Sequence, residues 1–195
     1  MKYLTFFEAL NDSEKENSKY DINKWIYVPN RYLSYRYLLG TKGNNPLICI
    51  GINPSTAEPD NLDNTLKSVE RISKNNGFDS FIMINVYPER ATNPDDMSSQ
   101  LISNIHKQNL LAFSYVLSKY EKCTIWAGWG TIVLKRSYLS KCLKEMYNIS
   151  LAHDATWVHF GKISKAGHPH HPLYLRKDSI ALPFDMDNYI KNIIK

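Results

Sequence analysis

Four short apolar runs, each followed by a more polar stretch, constrain the fold of this chain more than any other feature. The runs span residues 47–52, 81–87, 123–127 and 157–160. Short continuous apolar runs are typical of strands that are buried on both faces of a sheet. Strands that alternate with helices form a mostly parallel sheet with helices on both faces. The pattern predicts an α/β fold, a three-layer sandwich around a central, mostly parallel four-stranded sheet.

The segments between and after these runs carry the spacing of helices. Helices are predicted over residues 64–76, 98–120, 131–147 and 188–194. In the first of them, Leu66, Val69 and Ile72 recur at nearly the helical period, and Gly77 supplies a C-terminal cap.

Length and composition fit one domain with a short extension. The chain has 195 residues, of which 43% are hydrophobic, enough to bury a core without disulfide bonds. Residues 1–24 are polar and charged and are predicted to form an N-terminal arm or a peripheral helix. Residues 25–195 are predicted to form a single α/β domain, and its tyrosine-rich start, residues 25–39, predicts a β-hairpin.

The cysteines and the net charge indicate the cellular compartment and the kinds of partner to expect. Cys49, Cys123 and Cys142 are odd in number and lack CxxC spacing, which favours a reduced, cytoplasmic setting. No stretch is long enough to span a bilayer, so no membrane partner is expected. The net charge of +5 permits a nucleic acid or a nucleotide as partner, although small lysine groups are equally typical of a solvated helix face. The sequence leaves the oligomeric state open.

The loop after the first predicted strand is a candidate ligand-binding segment, because open α/β sheets bind ligands beyond the carboxyl ends of their strands. Gly51 permits close backbone approach, and Pro54 stiffens the turn. Asn53 presents an amide at the strand end. Ser55 and Thr56 offer hydroxyl groups to a ligand or to a helix cap. A plain strand-to-helix connection explains the same residues equally well.

The ends of the next two strands carry further candidates. Asn85 lies in an apolar run, where its amide must bond either to neighbouring backbone or to a ligand such as a base edge. Arg90 is suited to bind phosphate, or to pair with Glu58 or Asp60 in the first loop. Trp129 is suited to stack on a base, although buried tryptophans more often belong to a core.

The last candidate loop is rich in histidine and proline. His168, His170 and His171 lie within four residues, but adjacent histidines rarely chelate one ion, and no H-E-x-x-H motif or nearby cysteine accompanies them. We therefore expect no metal site. A histidine between prolines is better suited to insertion into a pocket or groove. The chain has no Walker loop, G-x-G-x-x-G or G-x-S-x-G motif, so no cofactor is expected.

Short motifs in a fixed order resemble one known family. They are Tyr35-Arg36-Tyr37, Asn-Pro-Ser-Thr-Ala at 53–57, Asp63-Asn64-Thr65, Asn85 with Arg-Ala-Thr-Asn-Pro at 90–94, Trp129-Gly130, and His-Pro-Leu-Tyr-Leu at 171–175. Across residues 35–175 the chain is similar to the domain of unknown function 1643 family, whose name carries no function.

The motif order also resembles that of the uracil-DNA glycosylase superfamily. Those enzymes place a Gly-x-Asn-Pro loop after the first core strand, an asparagine at a later strand end, a Trp-Gly, and a final His-Pro loop. The resemblance implies a glycosylase-like fold and hydrolysis of an N-glycosidic bond. It implies that Asn53 orients the attacking water, that Asn85 reads the base edge, and that His171 stabilises charge on the departing base.

The chain departs from the glycosylase pattern at three places. One is the acidic stretch at residues 58–63, which would repel a phosphate backbone unless it turns away or binds a cation. No aromatic residue closely follows the Gly-x-Asn-Pro loop, so Tyr87 and Trp129 are the candidates for stacking on a base. Leu173-Tyr174 replaces the Ser-Pro of the last loop, where His168 and Tyr174 are further candidate ligand contacts.

Three functions stay open on the sequence. The first is a glycosylase-like hydrolase that cleaves a nucleobase N-glycosidic bond in DNA or in a nucleotide. The second is a protein that binds a nucleotide or modified base in the same pocket without cleaving it. The third, an interaction protein without a pocket, requires that Asn53, Asn85, Arg90 and His171 lie far apart.

Overall fold

A computed structural model describes residues 3–15 and 18–194 of the chain. In these residues one mixed sheet has seven strands in the order β1-β2-β4-β3-β5-β6-β7. The strands are β1 (Trp25–Val28), β2 (Leu38–Thr41), β3 (Pro46–Gly51), β4 (Ser80–Asn85), β5 (Thr124–Ala127), β6 (Thr156–Phe160) and β7 (Ala181–Pro183). The helices are α1 (Phe6–Ser13), α2 (Asn64–Asn75), α3 (Ser103–Ser118), α4 (Ser137–Leu151) and α5 (Met186–Asn188).

The α/β class predicted from the apolar runs is confirmed, but the sheet is larger than predicted. The four predicted strands are β3, β4, β5 and β6, and each pairs in parallel with its neighbour. The sheet gains the antiparallel β1–β2 hairpin at one edge and the antiparallel strand β7 at the other. The predicted four-stranded sheet is thus corrected to a seven-stranded mixed one. The short β7 contains Pro183 and is partly exposed, so it lacks the apolar run that marks a buried strand.

Side chains along the central strand β3 alternate between two core clusters. Ile48 and Ile50 belong to the cluster that contains buried residues of α1, α3 and α4. Leu47 and Cys49 belong to the cluster that contains the apolar stripe of α2. Because successive strand residues point to opposite faces, helices cover both faces of the sheet.

The predicted helix over residues 64–76 is confirmed as α2, which Asp63 caps at its N-terminus. Gly77 follows the helix with φ of 81°, a left-handed conformation that favours glycine. The predicted helix over 98–120 begins only at Ser103. Ser98 is held in the preceding segment, because its backbone N–H and its hydroxyl both donate to Glu89.

The two remaining helix predictions are also corrected. The 131–147 segment divides into a 3₁₀ turn, Gly130–Leu134, and α4. Arg136 lies at the division, where its guanidinium donates to the carbonyls of Met97 and Ser98. The predicted helix over 188–194 is instead the short α5 followed by a π-helical turn, Tyr189–Ile193.

The N-terminal segment contributes to the core. A capping box between Thr5 and Glu8 begins α1. Phe6, Ala9 and Leu10 of this helix are buried in the larger core cluster. Within the described part of the chain, no helix has both the length and the apolar character needed to cross a bilayer.

Candidate ligand-binding site

A cavity of about 360 Å³ opens at the carboxyl ends of the parallel strands. Gly51 ends β3, Asn85 ends β4, and the two residues are paired in register. The loops after these strands, the first turn of α2 and the 3₁₀ turn Pro172–Tyr174 form the walls. The topology therefore brings segments that are far apart in the chain to one edge of the sheet.

Gly51 makes room for the side chain of Asn85. A Cβ atom added at Gly51 would lie 2.9 Å from Asn85 Oδ1 and 2.5 Å from the Met83 methyl carbon. Any other residue at Gly51 would push one of these groups away, so this glycine is required by close packing at the cavity floor.

Asn85 is buried at the floor of the cavity, with 1% of its surface exposed. Neither its Nδ2 nor its Oδ1 has a hydrogen-bond partner among the residues that the structure describes. Its backbone carbonyl accepts from Asn109 Nδ2 at 2.8 Å, which holds the strand end in place. The side-chain amide is thus positioned but unpaired, and it does not bond to neighbouring backbone.

Arg36 is a second buried polar residue on the cavity lining, with 1% exposure. Its Nη1 donates to the carbonyl of Ala57 at 3.2 Å, whereas its Nε has no partner within the described chain. Burial lowers the pKa of Arg36; nearby Arg90 lowers it further, and Asp63 opposes the shift. Arg36 belongs to the Tyr35-Arg36-Tyr37 motif, but the motif did not predict a role for it in the site.

Asn53 ties together the loops that follow β3 and β4. Its Nδ2 donates to the carbonyls of Pro54 at 3.1 Å and of Ala91 at 2.7 Å. Since both amide hydrogens are thereby occupied, the remaining polar atom is Oδ1, which only accepts hydrogen bonds. Asn53 lines the cavity.

His171 lines the cavity from the opposite loop. It caps the turn Pro172–Tyr174, and its Nδ1 accepts from the backbone N–H of Leu173 at 3.3 Å. Burial lowers the pKa of His171, and the charge of Asp63 only partly offsets this. The ring is therefore neutral at neutral pH, with its proton on Nε2. Ser68 of α2 anchors the turn by donating to the Pro172 carbonyl at 2.8 Å.

The first turn of α2 adds residues that the sequence reasoning also missed. Asp63, Asn64 and Thr65 line the cavity, although only their motif had been noted. One carboxylate oxygen of Asp63 accepts from the N–H of Leu66 at 2.9 Å, the usual bond of an N-terminal cap. Their position beside the strand ends becomes visible only once the sheet is assembled.

Two further predicted residues lie on the cavity wall. Ser55 contributes from the loop after β3, and Tyr174 from the last loop. The side chain of Tyr174 is 76% exposed, so it stands at the mouth of the cavity and not inside it.

This chain belongs to the family described as a protein of unknown function, DUF1643. The family matches residues 36–173, more than half of the chain. The match begins at Arg36 and ends at Leu173, and both of these residues line the cavity. No curated protein and no solved structure matches the chain.

Three residues predicted to contact a ligand are core residues of the DUF1643 protein. Trp129 is fully buried and donates from Nε1 to the Tyr189 hydroxyl at 2.8 Å. His168 is 2% exposed, and its Nδ1 bonds to the same hydroxyl at 2.8 Å. The hydroxyl of Tyr87 accepts from the backbone N–H of Ile102 at 2.9 Å. None of the three lines the cavity, because each side chain points into the packed interior.

Arg90 of the DUF1643 protein supports the cavity from behind its wall. Its guanidinium donates to the carbonyls of Ser55 and Ala57 and to the Tyr27 hydroxyl. It also lies over the ring of Tyr32, 4.2 Å from the ring centre. Arg90 therefore holds the loop after β3 and does not itself line the cavity.

Pro54 and Thr56, two other predicted contacts, do not line the cavity either, since Pro54 is buried in the loop and Thr56 is exposed. Within residues 3–15 and 18–194, no three histidine, cysteine, aspartate or glutamate side chains are grouped as metal ligands.

Proposed function

We propose that this cavity binds a nucleobase and that the protein hydrolyses the N-glycosidic bond of the bound unit. The observation that carries the proposal is the buried, unpaired amide of Asn85 on the cavity floor. An amide presents a donor and an acceptor side by side, which complements the edge of a nucleobase. A buried polar group without a partner costs about 1–3 kcal/mol, and a bound base edge would remove that cost.

Asn53 supports the hydrolytic step. Its bonds to the carbonyls of Pro54 and Ala91 fix the amide plane, so its oxygen is held as a hydrogen-bond acceptor. A water that donates to this oxygen would be oriented for attack on the sugar carbon that bears the base. As the new C–O bond forms and the C–N bond breaks, the proton that the water loses would pass through solvent to the departed base. An amide does not remove a proton at neutral pH, so the contribution of Asn53 is positioning.

His171 supports departure of the base. A neutral imidazole with its proton on Nε2 can donate that proton in a hydrogen bond to an atom of the base. Such a donor stabilises negative charge that develops on a base oxygen or nitrogen as the glycosidic bond breaks. The transition state would then resemble an oxocarbenium ion, with Asn53 acting on the water and His171 on the departing base.

The substrate of the proposed reaction is a base in DNA or in a free nucleotide. A base within a duplex must leave the stack to reach Asn85, which lies at the cavity floor. The Asn85 amide matches the donor–acceptor edge of several bases.

A binding protein that leaves its ligand intact is the second candidate function. The observation that favours it is the absence of a free carboxylate base on the lining within the described residues. Asp63 is the carboxylate there, and its side chain caps α2. Binding would use Asn85 and His171 as in the first proposal, but no bond would break.

The deciding experiment is an assay for base release. The purified protein is incubated with base-modified single- and double-stranded oligonucleotides and with free nucleotides, and released bases are detected by mass spectrometry. We expect release from at least one substrate. Loss of that activity is expected in Asn53→Ala and in His171→Ala, with His153→Ala as a folded control because its side chain lies away from the cavity.

Either alternative outcome changes the assignment. Full activity in both cavity variants would reject the proposed site. A nucleotide that co-purifies or binds stoichiometrically and is recovered unchanged would establish the binding function in place of hydrolysis.

A further inference from the structure

We infer that the cavity contains an anion subsite, formed by Arg36 and the N-terminus of α2, that takes the phosphate monoester of a free nucleotide. The inference rests on the proposed function in one respect, namely that the base of the same nucleotide faces Asn85. It adds a substrate class, because it selects a free nucleoside monophosphate over a base in a nucleic acid chain.

The first observation is the state of the Arg36 guanidinium. It is a buried cation, and it forms no ion pair with any carboxylate that the structure describes. Among the residues that the structure describes, one neutral carbonyl, that of Ala57, accepts from it, while its Nε has no acceptor. A buried charge is stable only when it is paired and hydrogen-bonded, so an anionic ligand group supplies what the fold leaves out.

The second observation is the position of α2. This helix has 12 residues, and its first residues, Asn64 and Thr65, line the same cavity as Arg36. The first backbone N–H groups of a helix have no partner within the helix and favour anions. Asp63 satisfies the N–H of Leu66, which leaves the amides of Asn64 and Thr65 available to phosphate oxygens.

Within the described residues, the cavity lining carries one charge that opposes anion binding. Asp63 is the carboxylate on the lining, and its attraction to Arg36 is a smaller influence than that of the neighbouring Arg90. Its hydrogen bond to Leu66 directs one oxygen into the helix cap. A phosphate between Arg36 and the helix end would therefore meet Arg36 and the positive end of α2 against one engaged carboxylate, with the charge of Arg90 behind the wall.

The depth at which Arg36 lies favours the phosphate of a free monophosphate over a phosphodiester of a nucleic acid chain. Arg36 and Asn85 are both 1% exposed, whereas the residues at the mouth, such as Tyr174, are largely exposed. A phosphodiester is flanked by nucleotides on both sides, and these neighbours hinder its approach to a side chain as deeply buried as Arg36. A monoester is terminal and carries more charge, so it is the form of phosphate that reaches a buried arginine.

The test compares ligands that differ only in phosphate. Dissociation constants are measured by isothermal titration calorimetry for the full chain with nucleoside 5′-monophosphates, the matching nucleosides, inorganic phosphate, and short single-stranded oligonucleotides. We expect at least one monophosphate to bind roughly 10- to 100-fold more tightly than its nucleoside. Arg36→Gln should remove this difference while the affinity for the nucleoside stays the same.

Controls separate loss of the subsite from loss of the fold. Arg176→Gln makes the same charge change at an exposed arginine paired with Asp178, and it should keep the full preference for the monophosphate. Arg36→Lys keeps the charge but not the forked geometry, and it should give an intermediate ratio. The nucleoside-to-monophosphate ratio of the unaltered protein does not depend on the folding of any variant.

Each contrary result has its own meaning. Equal affinity for nucleoside and monophosphate, or a ratio unchanged by Arg36→Gln, overturns the anion subsite but leaves the base pocket. Tighter, Arg36-dependent binding of the oligonucleotide overturns the monoester assignment. If phosphate or a monophosphate binds through Arg36 while no nucleoside binds and no base is released, the subsite stands and the proposed function falls. Failure of every ligand to bind overturns both.

Discussion

Two groups of buried polar side chains differ in whether their hydrogen bonds are complete. Around Tyr189, the hydroxyl accepts from Trp129 and bonds to His168, each at 2.8 Å. On the cavity floor, Arg36 and Asn85 are equally buried but keep unpaired polar atoms. The difference teaches that burial alone does not separate a structural polar residue from a ligand-binding one. Unpaired buried atoms also occur away from the cavity, for example on Ser73 and Trp126, so a missing partner points to a ligand only where the residue also lines a cavity.

The same comparison has energetic consequences. A complete buried network stabilises the fold, and removal of one member leaves its partners unsatisfied. A group with unpaired polar atoms lowers the stability of the fold, because those atoms lose their hydrogen bonds to water and gain none in the protein. Substitutions in the Tyr189 cluster should therefore destabilise the protein, and a substitution on the cavity floor should affect ligand binding and spare stability.

The largest effect is expected for Trp129→Ala. Trp129 is fully buried and packs against Trp157, Phe184 and Tyr189. Loss of this side chain should lower the free energy of unfolding by about 3–5 kcal/mol, measured by urea denaturation. A loss below about 1 kcal/mol would show that Trp129 is not a core residue and would restore it as a candidate for base stacking.

A smaller loss is expected for Tyr189→Phe, which removes only the shared hydroxyl. Trp129 Nε1 and His168 Nδ1 then lose their common partner, and the free energy of unfolding should fall by about 1–3 kcal/mol. Affinity for a nucleobase ligand should not change, because Tyr189 does not line the cavity. A loss of ligand affinity without a loss of stability would contradict the division into two groups.

The pH dependence of stability should reveal the neutral His168. Burial lowers its pKa from the ordinary 6.5, so the unfolded chain binds more protons than the folded one between the two values. The resulting stability is complete above pH 6.5 and is lost as the pH falls through the lowered pKa of the folded protein.

His168→Asn isolates this contribution, since asparagine keeps an acceptor near the Tyr189 hydroxyl but does not titrate. Urea denaturation at a series of pH values should show a steeper loss below pH 6.5 in the unaltered protein than in the variant. His159 and His171, whose pKa values burial also lowers, are present in both proteins and do not affect the difference. Identical slopes would contradict a neutral, buried His168.

The smallest change in stability is expected for Asn85→Leu. Leucine has a similar shape and no polar atoms, so the free energy of unfolding should stay the same or rise by up to about 1 kcal/mol. Asn109→Leu is the matched control, because Asn109 Nδ2 bonds to the Asn85 carbonyl and its loss should cost about 1–3 kcal/mol. Equal destabilisation by both substitutions would mean that the Asn85 amide is paired in the folded protein.

Sequence patterns predicted the centre of the fold better than its edges. Buried parallel strands need continuous apolar runs, which the chain displays for β3, β4, β5 and β6. The edge strand β7 is three residues long and mostly exposed, so no apolar pattern marks it. Helix ends were misplaced where distant side chains hold the backbone in another conformation, as Arg136 does between the 3₁₀ turn and α4.

The candidate site could be predicted only in part for a related reason. Asn53, Asn85 and His171 follow strands or lie in a proline-bounded loop, so topology alone suggests that they meet. Arg36 precedes β2, which lies between β1 and β4, and its place on the cavity depends on how the chain enters that strand. Trp129 follows β5 as Asn53 follows β3, and its full burial and its hydrogen bond to Tyr189 identify it as structural.

The central claim is that the unpaired amide of Asn85 recognises a nucleobase. It is tested most directly by titrating a panel of nucleosides and nucleotides into the unaltered protein, Asn85→Leu and Tyr189→Phe. We predict that at least one ligand binds, that Tyr189→Phe binds it as the unaltered protein does, and that Asn85→Leu binds it roughly 10- to 100-fold more weakly. Unchanged affinity in a folded Asn85→Leu variant would contradict the account.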